Sequence, residues 1–84
     1  MRYTVIWLPD TLNELADVWL RAFDREAVSA ASAEVDRLLG YDPVSQGESR
    51  EDNTRVLLIK PLGIEFEIND GDRKVIVNSV WNID

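Results

Sequence analysis

The chain has 84 residues, 45% of them apolar, and carries 16 acidic against 9 basic side chains for a formal charge of −7. That length fits one domain over residues 1–84, with a compact core and a modest margin of stability. Cysteine and histidine are both absent, which excludes disulfides, zinc–thiolate sites, thiol catalysis and the commonest general base.

Tyr3-Thr4-Val5-Ile6-Trp7-Leu8 is rich in β-branched and aromatic residues and ends at Pro9, so it reads as a strand with apolar bulk on both faces. Thr11 with Glu14 three residues on matches a capping box, with Asp10 as an alternative cap. Leu12, Leu15, Ala16, Trp19, Ala22 and Phe23 then recur at helical spacing. Asp24 is the expected cap of a second helix, whose stripe runs Ala27, Val28, Ala31, Val35, Leu38 and Leu39 and stops at Gly40. Tyr41 to Asn53 has no clear period and includes the charged run Glu48-Ser49-Arg50-Glu51-Asp52, so a loop is expected there, part of which could extend the next strand.

Thr54 to Lys60 reads as a strand closed by Pro61. In the next strand Ile64, Phe66 and Ile68 alternate with Glu65 and Glu67, which predicts a half-buried strand with a solvated acidic face. Asn69-Asp70-Gly71-Asp72 is a hairpin connection into a last strand, Lys74 to Trp81. The expected fold class is therefore α+β, in the order β-α-α-β-β-β. A helical hairpin should pack on one face of a mainly antiparallel four-stranded sheet. In that arrangement Leu12, Leu15, Trp19, Val28, Ala31, Val35 and Leu38 meet Ile64, Phe66 and Ile68.

The chemistry open to such a chain is narrow. No serine sits in a recognisable nucleophile elbow, no glycine-rich phosphate loop exists, and Asp70 and Asp72 around Gly71 fit a hairpin turn better than a calcium loop. No cofactor or metal is expected. Guanidinium and ammonium groups can stabilise charge developing on a phosphate, which makes Arg55 and Lys60 the catalytic candidates. Arg50, Arg55 and Trp81 are the candidates for binding. For each there is a plainer structural role: Arg55 as the ion-pair partner of Glu48, Glu51 or Asp52, and Trp81 as a core or interface aromatic. The acidic surface repels phosphate backbones, so general nucleic-acid binding is not expected. Apolar runs such as Val56-Leu57-Leu58-Ile59 are too short to cross a membrane. The first residues lack the regions of a signal peptide, so a reducing cytoplasm is the expected location.

Taken in order, these segments resemble the RelE/ParE superfamily of bacterial toxins from type II toxin–antitoxin systems. The resemblance runs over nearly the whole chain. It rests on Tyr3-Thr4-Val5-Ile6-Trp7 leading into a helix with Leu12, Leu15 and Ala16, then on Asp42-Pro43 and Gly47. It continues with Arg55-Val56-Leu57, Ile64-Glu65-Phe66-Glu67-Ile68 and Val75-Ile76-Val77-Asn78-Ser79-Val80-Trp81. It implies a domain around which a cognate antitoxin wraps. The RelE branch cleaves messenger RNA in the ribosomal A site, and the ParE branch inhibits DNA gyrase. Arg55 matches the arginine that commonly opens the strand after the helices, and Lys60 loosely matches basic residues used by the nucleases. The chain departs from those nucleases in its acidity and in ending Trp81-Asn82-Ile83-Asp84, where many carry a histidine or tyrosine near the scissile phosphate. The expected function is a toxin-like component that acts through protein binding. The alternatives are a non-toxic interaction module and a ribosome-dependent endonuclease. The expected partner is an antitoxin-like protein or a second copy, with a protein target possible, because two short helices leave apolar surface on the sheet uncovered.

Overall fold

The computed structural model describes residues 2–51 and 53–83, so Met1, Asp52 and Asp84 lie outside the described residues. The elements are β1 (Thr4–Trp7), α1 (Pro9–Arg21), α2 (Arg25–Tyr41), a 3-10 turn (Pro43–Ser45), β2 (Glu48–Ser49), β3 (Thr54–Ile59), β4 (Leu62–Asn69) and β5 (Lys74–Asn82). The strands form one sheet in the order β1-β5-β4-β3-β2. Its pairs are antiparallel except β1 with β5, which is parallel. The expected order of elements is present, with one correction: the sheet has five strands, not four. The added strand, β2, lies in the segment read as a loop and pairs Glu48 with Val56 and Ser49 with Arg55. Two residues are too few for an alternating pattern to be visible.

Pro9 occupies the first turn of α1, where its missing N–H costs nothing, and holds Leu8 extended at φ −62°, ψ 153°. The expected capping box does not form, because the helix starts before Thr11 and has no side-chain cap. Both residues instead serve the sheet. β1 ends at Trp7, opposite Val77, so the following residues of β5 have no strand on that side. The Thr11 hydroxyl donates to the Val77 carbonyl at 2.9 Å, and the Glu14 carboxylate accepts from the Val80 amide at 3.2 Å. Thr11 is wholly buried. These bonds set the rotation of α1, so Leu15, Val18 and Ala22 pack on the core. Leu12 and Trp19, expected against the sheet, are 51% and 38% exposed. The helix is apolar on two stripes, and the period alone does not say which one faces inward.

Asp24 caps α2 as expected, its carboxylate accepting from the Ala27 amide at 3.1 Å. The helices join almost without a loop because Arg25 reaches back to the Trp19 and Leu20 carbonyls at 3.2 and 3.0 Å, satisfying the end of α1. Val28, Ala31, Val35 and Leu39 form the buried stripe of α2, while Leu38 lies at its margin. Gly40, expected just beyond the helix, sits inside its last turn. There the Tyr3 amide donates to the Gly40 carbonyl at 2.8 Å, which fastens the start of β1 to α2.

The core lies between α2 and one face of the sheet. Leu57, Leu62, Ile64, Phe66, Val75, Val77 and Val80 are buried against the α2 stripe. Glu65 pairs with Ser79 but Phe66 pairs with Val77, so Asn78 is an extra residue in β5. This bulge re-phases the strand and lets both Val77 and Val80 point to the helices. Phe66 is fully buried in the middle of this layer. Phe66→Ala should therefore cost about 3–5 kcal/mol. Urea unfolding measures this, and a loss below ~1 kcal/mol would show that the site is not packed as described.

Candidate functional site

Arg55 opens β3 beside the short strand β2. The chain reaches β2 through Gly47, whose φ of +69° suits glycine and where a Cβ would lie 2.4 Å from the Val56 carbonyl oxygen. The approach brings a set of acceptors around the arginine. Its Nε donates to the Gln46 carbonyl at 2.8 Å, Nη1 to the Ser49 hydroxyl at 2.9 Å and Nη2 to the Gly47 carbonyl at 3.3 Å. The planar guanidinium thus clasps the loop between the 3-10 turn and β2, a geometry that lysine cannot reproduce. Neither Glu48 nor Glu51 is its partner in these bonds, and Asp52 lies outside the described residues. Glu48 is instead bound by Arg50 at 3.1 Å. Ser49, Arg50, Asn53, Thr54, Arg55 and Ile68 line a shallow depression here.

The other candidates are elsewhere. Lys60 is exposed in the tight turn between β3 and β4, where the Lys60–Pro61 peptide is cis. It is five positions along the strand from Arg55, about 17 Å at strand rise. Trp81 lies on the sheet face away from the helices, with its ring over Gly63, where a Cβ would come within 2.5 Å of Cε2. Arg50 and Arg55 therefore share a rim, while Lys60 and Trp81 belong to the opposite end of β3.

The sheet face bearing Trp81 is the feature that single residues did not reveal. By register, Glu48, Val56, Glu65 and Ser79 form one row, Thr54, Glu67, Ile76 and Ile6 a second, and Leu58, Gly63 and Trp81 a third. Ile6, Val56, Leu58, Ile76 and Trp81 lie outside the core cluster and its packed margin. Leu58 is 58% exposed and Trp81 37%. No described helix covers this face. A second apolar depression runs between the helices, lined by Leu12, Ala16, Trp19, Ser29 and Ser32 among others.

A tyrosine outside the predicted set also has an organised environment. The Tyr3 hydroxyl donates to the Asp70 carboxylate, and the Arg73 guanidinium carbon lies 5.2 Å from the centre of its ring. The hydrogen bond to Asp70, followed by desolvation, raises the phenol above its ordinary pKa. Arg73 adopts φ +55°, and its carbonyl accepts from the Thr4 amide at 2.9 Å. This cluster ties the β4–β5 hairpin to the start of β1, at the opposite edge of the sheet from the loop that Arg55 holds.

No family model and no curated protein sequence matches the chain. Among solved structures, it is similar to a chain of the RelBE toxin–antitoxin complex from Mycobacterium tuberculosis, with TM-score 0.78 and 17% identity over 98% of this chain and 99% of that one. A chromosomal ParDE system from P. aeruginosa gives TM-score 0.75 at 14% identity, covering 99% and 98% of the two chains. An archaeal RelE–RelB complex from Pyrococcus horikoshii gives 0.73 at 14% identity, covering 99% and 97%. The likeness runs end to end. The chain shares the fold of these RelBE, ParDE and RelE–RelB chains.

Proposed function

We propose that this protein is a toxin-like component of a type II toxin–antitoxin pair, acting in the cytoplasm by binding a protein partner or target. The observation that carries this reading is the uncovered face of the sheet, where apolar side chains of three strands stand outside the core. Exposed apolar surface gathered on one face is the mark of an interaction site. The end-to-end likeness to chains of toxin–antitoxin complexes supports the same reading. No described helix is long and apolar enough to cross a membrane.

Chemistry at the Arg55 rim is the less favoured reading. The guanidinium already makes three hydrogen bonds to its own loop, and the chain has no histidine to move a proton. Arg55 is on this account a positioning residue that shapes the β2 loop, and Arg50 and Trp81 are the binding candidates at opposite ends of the sheet. Arg55→Lys keeps the charge but loses the forked geometry, and should destabilise the protein by about 1–2 kcal/mol. Unchanged stability in urea, together with unchanged amide exchange from Gln46 to Ser49, would refute the clasp.

Function is tested by induced expression with and without the neighbouring gene, alongside cleavage of messenger RNA in a purified translation system. The expected result is growth arrest relieved by the neighbour's product, with no cleavage. Efficient cleavage abolished by Arg55→Ala would instead restore the endonuclease. A harmless protein that still binds the neighbour's product would identify a non-toxic interaction module.

A further inference from the structure

We propose that the open face of the sheet docks a basic amphipathic helix of a partner protein. Its apolar stripe would lie on Val56, Leu58, Ile76 and Trp81, and its lysine or arginine flank on Glu65 and Glu67. The inference rests on the partner-binding reading and specifies the chemistry of the partner.

Charge complementarity carries the choice of occupant. Glu65 and Glu67 are half-buried on β4, the middle strand of the sheet, each flanked in its row by an apolar neighbour, Val56 and Ile76. The acidic residues in the described ion pairs are Asp17, Glu34 and Glu48, so neither of these two carboxylates has a cation of its own. Of the basic residues on this side, Arg50 is already bound to Glu48, and Lys74 stands in the row of Thr4 and Asn69 at the far end. Any partner that covers the apolar residues must also strip water from the two carboxylates. A neutral or acidic partner would leave them covered and unpaired, whereas lysine or arginine would replace the lost solvation. A second copy of this face would set acid against acid.

Spacing favours a helix. Glu65 and Glu67 project from the same face two residues apart, a separation of about 7 Å along the strand. Residues i and i+4 of a helix rise by about 6 Å, so a single basic flank can meet both carboxylates. A strand would instead seek a sheet edge, where main-chain groups are free, while this face offers side chains only.

The probe is a synthetic helical peptide of about 18 residues with a leucine stripe and lysine flanks, compared with the same peptide carrying glutamate for lysine. Binding is followed by NMR titration of the full chain. The lysine peptide should shift the signals of Val56, Leu58, Gly63, Glu65 and Ile76, and should weaken as salt rises. The glutamate peptide should bind at least about tenfold more weakly, and Glu65→Gln with Glu67→Gln should weaken the lysine peptide about tenfold while leaving the urea midpoint unchanged. Equal binding of both peptides, shifts confined to Leu12 and Trp19 between the helices, undiminished binding by the double variant, or no binding would each overturn the proposal. So would a dimer in sedimentation whose formation shifts this same face, since the occupant would then be a second copy. Because the titration does not involve toxicity, a harmless protein that binds the lysine peptide sinks the toxin reading alone. A toxic protein whose peptide binding ignores Glu65 and Glu67 sinks this inference alone.

Discussion

β5 must satisfy its main chain on two sides, and β1 is too short to do so along its whole length. β4 pairs with β5 from Lys74 to Asn82, but β1 accompanies it only to Val77. α1 meets the remaining demand with side chains: Thr11 joins the Leu8 amide on the Val77 carbonyl, and Glu14 alone takes the Val80 amide. A buried main-chain group without a partner costs about 1–3 kcal/mol, so the first turns of α1 are fixed in place and in rotation by the strand they complete. The bulge at Asn78 belongs to the same arrangement, because it aims Val77 and Val80 together at the helices.

The distribution of free surface follows from that latch. With α1 held along the edge of β5 and α2 laid over the middle of the sheet, one face becomes the core and the other receives no helix. Leu12 and Trp19 are turned outward by the same rotation that turns Thr11 inward. Two apolar exposures among the described residues follow from this, the open sheet face and the depression between the helices. The open face has half-buried carboxylates at its centre, so it is acidic as well as apolar. Arg55 stands apart from both, its guanidinium occupied in shaping the loop that delivers β2.

Much of the fold is legible in the residues because the local signals agree with one another. Pro9, the Asp24 cap and the alternation from Ile64 to Ile68 each act through neighbours in sequence, and each has its expected effect. What was not legible depends on residues brought together from far apart. Thr11 and Glu14 have the spacing of a capping box, yet their partners lie 66 positions away, and only the length of β1 relative to β5 decides the competition. The plainer structural role read for Arg55, beside its candidacy for catalysis and binding, was an ion pair with Glu48, Glu51 or Asp52, because charged neighbours dominate its sequence surroundings. Its acceptors are the Gln46 and Gly47 carbonyls and the Ser49 hydroxyl, which come together only when Gly47 turns. Glu65 and Glu67 were legible as an acidic face, but not that Trp81 and Leu58 share it, since that relation is a matter of cross-strand register.

Amide hydrogen exchange at Val80 tests the latch most directly. In the unaltered protein this amide should exchange as slowly as those in the centre of β4. In Glu14→Ala its protection should fall by a factor of about ten or more while the β4 amides keep theirs. Rapid exchange at Val80 in the unaltered protein, or protection indifferent to Glu14, would contradict the account.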